Sequence, residues 1–141
     1  MSEAGYQVTH IDRIPDPSAE QEAGEPDWHA VRIHFGIQSF GINAYTATQE
    51  GEIVGEHEKI EHSGTKHEEL YFVSKGSAKF TIDGQEVEAP AGTFVYVPDP
   101  TSVRSAVAHE AGTTILCFGG TPGEAFAVSP WEQKYDPAPA R

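Results

Sequence analysis

Histidine and glutamate side chains cluster between residues 55 and 69 of this chain. The stretch GEHEKIEHSGTKHEE contains His57, His62 and His67, and Glu69 closes it. Two histidines and one carboxylate are a recognised ligand set for iron or another divalent ion, and they leave coordination positions open for water or substrate. Histidines in such an acidic and hydrophilic stretch are also commonly solvated or ion-paired, so both interpretations stay open.

A β-strand would aim part of this cluster at one point. Residues 68–73 (EELYFV) are aromatic and aliphatic, as is typical of a strand. Because side chains alternate along a strand, an inward-facing Glu69 places His67 and Tyr71 on the same face. The alternative is a Glu69 that only accepts hydrogen bonds inside the protein, where burial would favour its protonated form.

The first hypothesis is therefore a metal site. His62, His67 and Glu69 would bind one divalent ion (Fe, Mn, Zn or Ni), with His57 as a substitute ligand. The second hypothesis needs no metal. Tyr45, Tyr71 and Glu69 would line a pocket for a small molecule, since a phenol offers an apolar ring and a polar tip.

The remaining reactive or charged side chains are assigned to structural roles. Cys117 lies in the apolar run TTILCF and is predicted to be a buried, inert thiol. Arg104 follows Val103 and so points away from it, and it is predicted to pair with a surface acid. Lys59 is likewise assigned to weak ion pairs on the surface.

The pattern of short apolar runs and turn residues predicts an all-β sandwich or closed barrel. The strands are expected at residues 28–35, 42–48, 68–73, 78–82, 85–89, 94–97, 103–108 and 113–118. Residues 51–61 are interpreted as a charged loop, and Asp83-Gly84 as a tight hairpin turn. Pro90 is expected to lie outside the strand pairing.

Length and charge limit the classes of partner. The 141 residues suffice for one domain: an acidic N-terminal arm over residues 1–27, a barrel over 28–123 and a tail over 124–141. A formal net charge of −13 disfavours nucleic acid and anionic membranes as partners. Without an apolar leader or a membrane-length run, a cytoplasmic location is expected. The last residues, DPAPAR, are predicted to be disordered.

The glycine and proline spacing resembles that of the cupin superfamily, particularly small bacterial single-domain cupins. The matching elements are Gly51-x5-His57, Glu69-x6-Gly76 and Gly84-x5-Pro90-x-Gly92. The resemblance implies a double-stranded β-helix, or jelly-roll, barrel. It also implies a metal held by three histidines and a glutamate. Here valine stands near the position of the last histidine, at residue 103, so the usual site is degenerate.

Three functions follow from these patterns. The first is a small-molecule-binding protein with its ligand in the barrel mouth. The second is a metal-dependent enzyme of the dioxygenase, isomerase or decarboxylase type, which the resemblance implies. The third is a structural or interaction dimer with a filled barrel. A homodimer is expected in any case, because the arm carries Ile11 and Ile14 beside strand edges that need covering.

Overall fold

The structure is a computed structural model that describes residues 5–18, 21–59 and 65–136. No helix in these ranges is long and apolar enough to cross a membrane. A 3₁₀ turn (Ile11–Arg13) and two short helices, α1 (Val31–Phe35) and α2 (Pro130–Gln133), accompany nine strands. The strands are β1 (Asp27–His29), β2 (Gly41–Thr46), β3 (Gly51–His57), β4 (Glu68–Lys75), β5 (Ser77–Ile82), β6 (Gln85–Pro90), β7 (Phe94–Val97), β8 (Arg104–Ala108) and β9 (Thr114–Gly120).

The strands form two antiparallel sheets that pack face to face. One sheet has the order β1-β2-β9-β4-β7, and the other has the order β3-β8-β5-β6. This architecture confirms the predicted all-β jelly-roll barrel. The hairpin between β5 and β6 turns at Asp83 and Gly84, both with positive φ (49° and 82°), which confirms the predicted tight turn.

The core lies between the sheets and is built by alternation. Along β4 the side chains of Glu69, Tyr71 and Val73 are buried, while Leu70 and Phe72 lie on the outer face. His67, just before the strand, is buried too, so the predicted shared face of these residues is confirmed. The apolar core consists of Ala47, Ile53, Val54, Tyr71, Val73, Ala78, Phe80, Ala89, Val97, Ala106, Ala108 and Ile115.

Two element predictions are wrong. Residues 51–57 form strand β3 and not a loop, because they pair with β8 and bury Ile53 and Val54. Two register shifts interrupt this pairing and break the alternation that would reveal a strand. Residues 28–35 are a strand only as far as His29. The chain then forms α1, which ends at Gly36 with a φ of 70°.

Pro90 also departs from expectation, since it lies within β6 and pairs with Ser77 of β5. Its missing N–H is tolerated because β6 is at the edge of its sheet, where no further strand needs a donor.

Helix α1 is joined to the C-terminal segment through a buried ionic network. The guanidinium of Arg32 donates to the carboxylate of Glu132 and, at 2.6 Å, to that of Asp136. Glu132 also accepts a 2.7 Å hydrogen bond from Asn43 on β2. The predicted tail is therefore bound to the barrel as far as Asp136, and the residues after it, predicted to be disordered, lie outside the described ranges.

Aromatic contacts reinforce this attachment. The ring of Trp28 lies 5.2 Å from that of Trp131 and 5.6 Å from that of Tyr135, centroid to centroid. On the N-terminal side, Ile14 of the predicted arm is buried and its carbonyl lies 3.4 Å from Nδ1 of His29. Segments from both flanks thus pack on the barrel.

We expect Gly76→Ala to destabilise the protein much more than Gly84→Ala. Both glycines have positive φ, so each alanine costs about 1 kcal/mol in backbone strain. At Gly76 a Cβ would also lie 2.4 Å from Oγ1 and 2.7 Å from Cα of Thr113, whereas at Gly84 it meets nothing within 4 Å. Overpacking should add about 2 kcal/mol at Gly76, measured by urea denaturation. Equal losses of unfolding free energy in the two variants would contradict the predicted clash between residue 76 and Thr113.

Candidate functional site

A cavity of about 370 Å³ lies between the two sheets. Strands β2, β3, β4 and β9 and helix α2 all contribute to its wall. Its lining residues are Tyr45, Ile53, Val54, Gly55, Glu56, His57, Lys59, Glu69, Tyr71, Cys117 and Trp131. The three candidates for ligand binding from the sequence, Tyr45, Tyr71 and Glu69, are all in this wall.

Glu69 is the centre of the polar part of the cavity. Its Oε1 accepts hydrogen bonds from the Tyr71 hydroxyl at 2.7 Å and from Nη1 of Arg104 at 2.8 Å. Nζ of Lys59 lies 3.5 Å from Oε2, and Nε2 of His57 lies 3.6 Å from Oε1. The Cys117 thiol donates to Oε2 at 3.3 Å.

These neighbours keep Glu69 ionised. Burial alone would raise the pKa of the carboxyl group, but His57, Lys59 and Tyr71 together outweigh it and hold the pKa well below its ordinary value. The guanidinium of Arg104 acts in the same direction because of its charge and its short hydrogen bond. The alternative of a protonated Glu69 that only accepts hydrogen bonds is therefore wrong: burial does favour the neutral form, but the carboxylate also faces the charges of Lys59 and Arg104.

Arg104 and Lys59 are the site residues that the sequence reasoning missed. Arg104 is 0% exposed and Lys59 is 5% exposed, although both were expected at the surface. Alternation did place Arg104 opposite the exposed Val103, and this was the available signal. Arg104 also donates to the carbonyl of Asp99 at 3.0 Å. The backbone N–H of Lys59 donates to the carbonyl of Pro100 at 2.7 Å, which fixes that residue beside the cavity.

The three candidate histidines are placed differently. His57 lines the cavity, and its Nδ1 donates to the carbonyl of Gly55 at 2.8 Å. His67 is 4% exposed and stacks on Phe126 with ring centroids 5.1 Å apart. Burial, and then the charge of Lys59, lower the pKa of His67, so its ring is neutral at pH 7. His62 lies outside the described residues.

The remaining polar groups of the cavity stay protonated at neutral pH. Burial raises the pKa of Tyr45 and Tyr71 well above the ordinary value for a phenol. Burial, and next the charge of Glu69, raise the pKa of the Cys117 thiol. A thiol that keeps its proton is a poor nucleophile, in agreement with the inert cysteine predicted from the sequence.

The fold of this chain is that of a cupin. A family model described as "Cupin domain" matches residues 49–118, about half of the chain. The chain belongs to this family. No curated protein sequence matches it.

Solved structures share the architecture at low sequence identity. A cupin protein from Bacteroides fragilis superimposes with a TM-score of 0.61 at 14% identity, covering 98% of both chains. A protein from Thermotoga maritima, described as a predicted oxalate decarboxylase, gives 0.60 at 13% identity over 80% of this chain and 97% of its own. A cupin-superfamily sugar phosphate isomerase from Silicibacter pomeroyi gives 0.56 at 18%, over 69% and 60%. These likenesses show the fold alone.

Cupins often bind a metal, but the donors described here do not suit one. Both oxygens of Glu69 already face the positive groups of Arg104 and Lys59, so a divalent cation would meet two like charges at close range. Across residues 5–18, 21–59 and 65–136, no three His, Cys, Asp or Glu side chains converge as a metal site would require. The predicted set of His62, His67, Glu69 and His57 includes a residue outside these ranges and stays a prediction.

We expect Glu69→Gln to destabilise the protein by about 3 kcal/mol at pH 7, because Arg104 and Lys59 would be left buried without a counter-ion. The pKa of Glu69 is lower in the folded protein than its ordinary value near 4.5. The ionised carboxylate therefore stabilises the protein fully above pH 4.5, and this stabilisation is lost as the pH falls further. Urea denaturation from pH 7 to pH 3 should therefore show the gap between wild type and variant narrowing below about pH 4.5.

Glu68→Gln is the matched control. Glu68 lies on the outer face of the same strand, where it accepts a hydrogen bond from the exposed Tyr96. Its loss should cost less than about 1 kcal/mol. If both variants lose the same stability with the same pH dependence, the proposed role of Glu69 is wrong.

Proposed function

We propose that this cupin binds a small organic molecule in the cavity between its sheets, without a metal. The observation that carries this proposal is the composition of the cavity wall. Apolar surface from Ile53, Val54 and Trp131 surrounds a small convergent group of polar side chains centred on Glu69. Cavities of roughly 300–1,000 Å³ with this balance are typical small-molecule sites, and the volume of about 370 Å³ lies in that range.

The protonation states favour binding over covalent chemistry. At neutral pH the cavity offers the carboxylate of Glu69, a hydroxyl donor from Tyr45 and the ammonium of Lys59, while the Tyr71 hydroxyl donates to Glu69. Cys117 is held as a thiol that donates to Glu69. Such groups orient a ligand by hydrogen bonds and charge, whereas an activated nucleophile would need a lowered pKa or an adjacent base.

Two alternatives are less well supported. A metal-dependent dioxygenase, isomerase or decarboxylase would need a donor set that Arg104 and Lys59 disfavour. The neighbours described as a decarboxylase and an isomerase are only 13% and 18% identical, so their activities do not carry over. A purely structural protein with a filled barrel would leave the volume of the cavity unexplained.

Native mass spectrometry of protein purified gently and without a histidine tag tests the proposal. We expect an organic adduct on the wild-type chain and no stoichiometric metal adduct. Gly55→Leu should weaken the adduct, because it adds bulk to the cavity wall at a position where an added Cβ meets nothing closer than Glu52 Oε1 at 3.6 Å.

Gly120→Leu is the control for the added bulk, since Gly120 also has open space around its Cα and does not line this cavity. It should retain the adduct. One metal ion per chain that disappears in His67→Ala would favour the metal-dependent alternative instead. No adduct in any sample, together with no thermal stabilisation by a metabolite library, would remove the basis of the binding proposal.

We also propose that the chain forms a homodimer through the outer face of the five-stranded sheet. Two rows of uncharged side chains cross this face, paired by the strand register: Leu116, Phe72 and Phe94, and Ile42, Phe118, Leu70 and Tyr96. Phe94 is 62% exposed. Because the chain carries a net charge of −13, two copies approach most easily at an uncharged face, and a twofold axis lets the same face serve both.

Light scattering should give twice the chain mass of 15.3 kDa for the wild type. Phe94→Glu should shift the protein to the monomer, because it buries a charge at the proposed contact. Val87→Glu changes an equally apolar exposed residue on the edge strand of the other sheet, and it should leave the dimer intact. A monomeric wild type would refute the proposal.

A further inference from the structure

The buried charges around the cavity do not cancel. Glu69 and Arg104 form a close pair at 2.8 Å. Lys59 is equally buried, but its Nζ lies 3.5 Å from Glu69, beyond the roughly 2.7–2.9 Å of a strong charge-assisted hydrogen bond. One carboxylate thus faces two cations, and the surplus positive charge is that of Lys59.

No other acid compensates Lys59 within the described wall. Among the described residues that line the main cavity, Glu56 is the only other acid, and it is exposed. Glu132 lies nearby but is committed to Arg32 and Asn43. A buried ammonium without a full counter-charge is costly, so a bound anion would stabilise it.

A second unpartnered group lies beside Lys59. A small chamber of about 50 Å³ shares Tyr45, Lys59, Glu69, Cys117 and Trp131 with the main cavity, and His67 also lines it. Nε2 of His67 is buried and has no hydrogen-bond partner among the described residues. The ring is neutral, so it donates to a ligand carboxylate as the tautomer with its proton on Nε2, an atom that the interaction of the ring with the Ala127 carbonyl does not occupy.

We propose that the ligand of this cavity is a monocarboxylic acid with an apolar body, its carboxylate held by Lys59 and hydrogen-bonded by His67. This inference rests on the proposed binding function and names the class of ligand. The apolar body would lie against Ile53, Val54 and Trp131. One surplus positive charge matches a single negative charge, whereas a phosphate group with nearly two would leave a net negative charge beside Glu69.

Titration of the wild type with three probes that share a phenyl ring tests this inference. Phenylacetate, phenylacetamide and phenyl phosphate differ in charge at the polar end, and isothermal titration calorimetry measures the affinity of each. We expect phenylacetate to bind at least tenfold more tightly than the other two. Lys59→Met should reduce its affinity to that of the amide and leave the amide unchanged.

Two further variants are controls that distinguish the loss of the charge of Lys59 from a general loss of structure. Lys59→Arg keeps the charge and should keep the preference for the acid, and Lys66→Met removes an exposed lysine and should change nothing. The comparison of the acid with the amide needs only the wild type, so it stands even if Lys59→Met fails to fold.

The remaining outcomes separate the two proposals. An amide that binds as tightly as the acid would overturn the charge inference and leave the binding function standing. A tighter phosphate would overturn the choice of carboxylate. If no probe binds, the adduct in the native mass spectrum decides: a carboxylic acid supports the inference, a neutral or phosphorylated compound overturns it, and no adduct removes both proposals.

Discussion

The contact between Glu69 and Arg104 connects the two halves of this protein. Glu69 belongs to strand β4 of the five-stranded sheet and Arg104 to β8 of the four-stranded sheet, and their side chains meet at 2.8 Å in the space between. Neither charge could be buried alone, because removing one partner leaves the other without compensation. The pair therefore links the two sheets, and its carboxylate is also the group that Tyr71 and Lys59 contact.

This pair also gives Glu69 surroundings that differ from those of a metal-ligating glutamate. In the resemblance drawn from the sequence, Glu69 occupies the position of a metal-ligating carboxylate. In the structure its oxygens accept from Tyr71 and Arg104 and face Lys59, so protein cations take the place that a metal ion would need. Under the proposed function the same fold position serves a binding cavity, which illustrates why a shared fold leaves activity open.

The sequence predicts the regular parts of the fold well and the charged parts poorly, for physical reasons. The alternation of β4 is uninterrupted, so the inward direction of Glu69 and Tyr71 could be read directly. Strand β3 could not, because its register shifts and its acidic outer face hide the pattern. Arg104 was placed on the correct side of its strand but judged by the usual exposure of arginine. Its partner lies 35 residues away in sequence, and only the folded chain shows that contact.

The wall of the cavity includes residues from outside the region that the family model matches. Residues 49–118 lack both Tyr45 and Trp131, which form part of its wall. Trp131 is kept in place by its neighbour Glu132, which is bound to Arg32 a hundred residues earlier. A chain shortened to the family boundaries would therefore keep Glu69 and its charged neighbours but lose the two aromatic side chains of the cavity wall. Under the proposed function, the part of the chain needed to bind a ligand is larger than the part that the family model matches.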